Sequence, residues 1–255
     1  MPGDLSGVLA KLDRADEHRE AFDLLYEAYA ASEPYGILTE YDPRTGWHVM
    51  RWQVMREPPF VELALIFGDM ISNLRASLDY LVWQLVQLSG NRPGRRTGFP
   101  VVRRAKDWEV QSRAALRGVA PEWVAEIEAR QPFKRLERPS IHPLAILDHI
   151  SNLNKHRFLP VAAVSVEQLD LLINVEDARG EPIESRDFAD RPIVHNGELG
   201  RFRVPSKTYL DVVVNRSPRA RLSFDVGIDY DWHPVELAEW VKETVAQFGH
   251  AFPRA

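Results

Sequence analysis

The chain has 255 residues, 45% hydrophobic and 27% charged, with a net charge of −5 and no cysteine. That length can bury a substantial core, and the composition is that of an ordinary folded domain. The missing thiols exclude disulfides, thiolate metal ligands and a cysteine nucleophile, and they fit a reducing cytoplasm. The first thirty residues carry charges throughout and lack the apolar core of a signal peptide. The longest apolar stretch, residues 60–88, is interrupted by Glu62, Asp69, Arg75 and Asp79, so no membrane partner and a cytoplasmic location are expected. The charge is unevenly spread. Twelve Lys or Arg stand against six Asp or Glu between Arg92 and Arg138, inside an otherwise acidic chain. An acidic body argues against a binder that uses its whole surface for nucleic acid, but this stretch can hold phosphates locally. The structural alternative is a solvated loop and helix surface.

In chain order, residues 5–31 repeat Leu5, Val8, Leu9, Leu12, Ala15, Phe22, Leu25 and Tyr29 at spacings of three and four, which predicts an amphipathic helix ended by Ser32-Glu33-Pro34. Residues 37–41 and 47–54 read as strands of a β-hairpin across Asp42-Pro43-Arg44-Thr45-Gly46. A long helix follows at 60–89, with Leu63, Phe67, Met70, Leu74, Leu78, Leu81, Leu85 and Leu88 on one arc. Residues 89–94 form a loop. Shorter helices are predicted near 105–116, from Pro121 to about 130, and from Pro143 to about 155. Beyond Pro160 the pattern turns to strands, at 158–166, 169–175, 201–204, 209–215 and 219–228, before a closing helix at 234–248. The expected fold is α+β: a helical, bundle-like lobe with the hairpin over 1–157, then an antiparallel sheet covered by a C-terminal helix over 158–255, packed as one compact unit.

Two helices carry the candidate chemistry. On the first, Arg75 and Asp79 sit one turn apart at the border of the apolar arc, with Asn73 and Tyr80 on the polar side. They read either as a paired cation and carboxylate at a cleft, or as an ion pair that orients the helix while the arginine ties down a neighbouring carbonyl. On the second, His149, Asn152 and His156 share a face, followed by Lys155 and Arg157. His156 is a candidate general acid or base, because histidine titrates near neutral pH. Arg157 is a candidate phosphate or carboxylate ligand. The structural alternative is a basic last turn facing the negative end of the helix dipole. His149 and His156 lie two turns apart, roughly 10.5 Å, too far to share one metal ion. No metal and no cofactor are expected. Among the loop groups, His195-Asn196-Gly197 reads as a turn and Asp231 as a helix cap. No GxSxG, Walker or GxGxxG motif is present.

Two stretches resemble a family of bacterial proteins: Gly68-Asp69 … Asn73-Leu74-Arg75 … Leu78-Asp79 … Val82-Trp83-Gln84-Leu85, and Asn152-Leu153-Asn154-Lys155-His156-Arg157. The resemblance spans roughly residues 60–160 and implies a shared core without an activity. Where such proteins carry histidine at the place of Tyr80, the pattern is similar to the Arg-x4-His motif of HEPN ribonucleases. That likeness implies Arg75 as a phosphate-side residue and Tyr80 in place of a catalytic histidine.

Three functional classes follow. The first is a HEPN-like nucleic-acid-processing or defence protein with catalytic Arg75, Asp79 and His156, supported by Asn73, Tyr80, His149, Asn152, Lys155 and Arg157. Its partners would be nucleic acid, through the basic stretch 92–138, and a second copy in a homodimer. The second is a small-molecule-binding protein or enzyme with a cleft lined by Asn73, Asp79, Asn152 and His156. The third is a non-enzymatic interaction protein in which these groups lock helices together.

Overall fold

The computed structural model of the protein describes residues 4–134, 138–156, 161–168, 171–175, 184–187, 193–203, 210–214, 219–224 and 234–252. The α+β expectation holds. Among the described residues, six α-helices and eight strands follow the order α1 (Ser6–Ala31), β1 (Tyr35–Asp42), β2 (Trp47–Val54), α2 (Phe60–Leu88), α3 (Trp108–Ala115), α4 (Pro121–Ala129), α5 (Pro143–His156), β3 (Val161–Gln168), β4 (Leu171–Val175), β5 (Glu184–Asp187), β6 (Glu198–Arg203), β7 (Leu210–Val214), β8 (Arg219–Phe224) and α6 (Pro234–Gln247). The chain divides into two units: one of Met1–Asp23, Ala64–Leu159 and Val226–Ala255, the other of Leu24–Leu63 and Pro160–Asp225. No helix among the described residues is long and apolar enough to cross a membrane.

The helical unit is built on α2. Its arc of Phe67, Met70, Leu74, Leu78, Leu81 and Leu85 is buried to within a few per cent. Each such side chain contributes roughly 1.5–3 kcal/mol by leaving water. Helix α1 runs antiparallel along α2, with Gln84 Oε1 accepting from the Asp4 N–H at 3.0 Å, Lys11 Nζ donating to Asn73 Oδ1 at 3.1 Å, and the Phe22 and Phe67 rings 6.4 Å apart. Helix α5 meets α2 at Gly68, where Asn154 Nδ2 donates to the Gly68 carbonyl at 3.0 Å and to Ser72 Oγ at 3.2 Å. A Cβ on Gly68 would stand 2.5 Å from Asn154 Oδ1, so the glycine is what lets α5 approach. Helix α6 buries Leu237, Val241, Val245 and Phe248 in this unit, pairs Lys242 with Asp16, and brings Trp240 edge-on to His142 at 5.4 Å.

Among the described residues, the other unit holds three antiparallel sheets: a four-stranded one in the order β1-β2-β6-β5, and the pairs β3-β8 and β4-β7. Asp42 shapes the β1-β2 turn by accepting from the Arg44 N–H at 3.0 Å and the Thr45 hydroxyl at 2.8 Å, and Gly46 takes φ +72° there. A second turn, with Asn196 at φ 62°, leads into β6, and His195 Nδ1 accepts from the Val54 N–H at 3.1 Å.

Three features differ from the sequence reading. The hairpin does not belong to the helical lobe, because β2 continues its ladder onto β6. The later strands are divided among three sheets instead of forming one. The closing helix sits in the helical unit, where its apolar side and Lys242 find partners.

Candidate functional site

Arg75 and Asp79 do come together, and both are engaged by the same peptide. Arg75 Nη2 donates to the Phe99 carbonyl at 2.7 Å and lies 3.1 Å from Asp79 Oδ1, which accepts the Phe99 N–H at 2.8 Å. One turn of helix thus clamps both polar groups of one buried backbone residue. Gly98 permits the close approach, since a Cβ there would be 2.9 Å from Asp79 Oδ1. Loss of hydration pushes the Asp79 carboxyl above the usual aspartate range, against the opposing pull of Arg75, the Phe99 N–H and Lys155. Arg75 Nη1 is buried without a hydrogen-bond partner among the described residues, as is Ser151 Oγ on α5.

The remaining candidates do not converge on this point. Asn73 and Tyr80 face α1: Asn73 accepts from Lys11, and the Lys11 ammonium lies 5.9 Å from the Tyr80 ring centre. Asn73 is roughly 120° round the helix from Asp79, so the two side chains leave α2 on different faces. On α5, Lys155 and Asp148 are close enough for Asp79 to feel their charges. Asn152 is exposed and 3.3 Å from Asp148 Oδ2, while His149 is half-buried. The His156 backbone ends α5; its side chain and Arg157 lie outside the described residues, as does Asp231. Among the described residues no group of three or more His, Asp or Glu is placed to hold a metal ion.

The loop that Arg75 and Asp79 clamp is the start of the basic stretch, and here the geometry is concave. Helix α2 ends in a Schellman turn: Gly90 takes φ +76°, its N–H reaches Gln87, and the Asn91 N–H reaches Val86 at 3.1 Å. Asn91 then donates to the Gly118 carbonyl at 3.0 Å, and Ser89 Oγ accepts from the Ala120 N–H at 3.0 Å. These bonds stitch the end of α2 to the α3-α4 junction. The Thr97 N–H bonds the Gly94 carbonyl at 3.0 Å, and Thr97 Oγ accepts the Gly94 N–H at 2.9 Å. Arg95 and Arg96 therefore occupy the two central positions of a doubly tied turn. A bond from Gly98 N–H to the Ala115 carbonyl, 3.3 Å, fastens the loop to α3.

Between this loop and α3 lies a cavity of about 740 Å³, lined by Arg92, Arg95, Arg96, Arg113, Arg117 and Thr97 among others. Arg113 pairs with Glu109 at 2.5 Å. Among the described residues, no carboxylate lines the cavity, and none pairs with Arg92, Arg95, Arg96 or Arg117. The later part of the basic stretch is spent differently: Arg103 donates to the Ala145 carbonyl, Arg104 pairs with Asp107, Arg130 with Glu126, and Lys134 with Glu128. The sequence reading counted the cavity arginines within the basic stretch 92–138 without gathering them at one place, and it did not consider Thr97. The usable signal was Arg113 and Arg117 at a spacing of four, beside a glycine that ends the segment.

No family model, curated protein or solved structure matches this chain.

Proposed function

We propose that this protein binds nucleic acid through its phosphates at the arginine-lined cavity, and that Arg75 and Asp79 serve this site by fixing the loop that carries it. One observation supports the reading above the rest: five arginines line one concavity and only Arg113 has a carboxylate partner among the described residues. Unpaired guanidiniums held close together repel one another, and an anion relieves that cost. Their planar forks suit phosphate oxygens. The HEPN-like expectation keeps its nucleic-acid partner here, and the phosphate contact moves from Arg75 to the loop and α3. Binding is the activity the geometry supports. Arg75 and Asp79 are occupied by the Phe99 peptide, and Tyr80 lies beside Lys11.

The test is a fluorescence-anisotropy titration of single-stranded RNA across a salt series. Four arginines without carboxylate partners among the described residues predict that log K falls with log salt at a slope of about −3, at ~0.7 per phosphate neutralised on a single strand. Arg92→Ala/Arg117→Ala should flatten that slope by about 1.4. Lys106→Glu, on an exposed residue away from the cavity, should leave it unchanged. No binding at low salt, or binding indifferent to salt, would refute the proposal.

A further inference from the structure

We infer that the arginine cavity takes a compact terminal polyphosphate, three adjacent phosphates at the end of a chain, in preference to the internal backbone of a strand. The inference rests on the nucleic-acid reading above and narrows it. Three observations carry it. The first is charge density. Four guanidiniums without carboxylate partners among the described residues face a half-open hollow of about 740 Å³, a volume in the range of small-ligand sites. Internal phosphodiesters bring one charge each and are spread along the strand, whereas a triphosphate end concentrates several charges in one place.

The second is the chemistry of the lining. Among the described residues no aromatic side chain lines the cavity. A site that grips the interior of a single strand usually adds stacking platforms for its bases, worth roughly 1–3 kcal/mol per base. This one offers only charge and donors. The Thr97 oxygen already accepts the Gly94 N–H, so the hydroxyl proton is left to donate into the cavity. Gly94 lies on the wall with open space where a Cβ would stand, which lets a phosphate come close to the main chain there.

The third is preorganisation. Arg95 and Arg96 sit on a turn closed by two hydrogen bonds, and the loop is tied at Asn91, Gly98 and Phe99 to α2 and α3. Guanidiniums held this way lose little backbone freedom on binding. The ligand chemistry can come from the 5′ end of an RNA or from a free nucleoside triphosphate, and the two sources are separable.

The experiment uses the full chain in the presence of EDTA, so that magnesium does not mask the phosphates. Anisotropy compares one RNA sequence bearing a 5′-triphosphate with the same RNA bearing a 5′-hydroxyl, with ATP and inorganic tripolyphosphate as competitors. The expected result is at least about tenfold tighter binding of the triphosphate RNA, a difference near 1.4 kcal/mol, with displacement by tripolyphosphate. Arg95→Ala/Arg96→Ala, both exposed, should abolish the preference without lowering the melting temperature. Equal affinity for the two RNAs would overturn this inference and leave the nucleic-acid reading standing. Binding of ATP and tripolyphosphate with no binding of either RNA would support the polyphosphate site and overturn the nucleic-acid reading. A triphosphate preference that survives Arg95→Ala/Arg96→Ala would overturn the assignment to this cavity.

Discussion

Replacing Arg75 separates a structural clamp from a catalytic group. Its side chain is 15% exposed, and its guanidinium holds the Phe99 carbonyl at 2.7 Å and Asp79 at 3.1 Å. Arg75→Ala removes a hydrogen bond from a charged donor, worth roughly 1.5–3 kcal/mol, and leaves a buried carbonyl without it. Asp79 also loses its cation, but at 38% exposure water replaces much of that attraction, so the added cost is below about 1 kcal/mol. Freeing the unpartnered Nη1 returns a little. The sum is about 3 kcal/mol, which for a protein of this size lowers the melting midpoint by roughly 6–12 °C. Circular dichroism at the helical band reads it, since the clamp lies in the helical unit. Arg75→Lys, which keeps the charge but loses the fork, should fall between. A shift under about 1 °C for Arg75→Ala would refute the clamp and return Arg75 to the list of catalytic candidates.

Further outcomes follow from the same contacts. Asp79 has a raised folded-state pKa, so wild type binds its proton more tightly folded than unfolded. Its contribution is therefore fully present below the unfolded aspartate value and is lost as pH rises through the folded one. Denaturant titrations should show the stability of wild type relative to Asp79→Asn declining over that acidic window, and an unchanged difference would contradict the burial argument. Gly68→Ala places a methyl against Asn154 and should destabilise despite alanine's better helix propensity. The double variant Gly68→Ala/Asn154→Ala should recover part of the loss, and strict additivity would mean the two do not meet. Ser151→Ala deletes a buried hydroxyl with no partner among the described residues, and its melting temperature should be unchanged or slightly raised.

The helices were legible because apolar spacing dictates them: α2 lies within a residue of its expected ends, and the arc from Phe67 to Leu85 is the buried face. Strand positions were legible to a few residues from β-branched runs, but their partners were not. Pairing β2 with β6 joins residues about 150 apart, and no local pattern encodes that choice. The polar strand β5 carried no hydrophobic alternation and was missed. At the candidate site, the Arg75–Asp79 pair followed from helix periodicity, and the tie to a neighbouring carbonyl was one of the two readings offered. That the tie is to Phe99, and so serves the arginine loop, needed the fold. Arg113 and Arg117 join the cavity only because Asn91 and Gly98 bring α3 against the loop.

The most direct measurement of the central claim is hydrogen exchange by mass spectrometry on the full chain, with and without 5′-triphosphate RNA. Added protection is expected over residues 91–98 and 113–118, with the Arg75 and Asp79 turn of α2 unchanged. Protection centred on α5 and the α2 polar face, with none in the arginine loop, would contradict that claim and restore the helix cleft as the binding site.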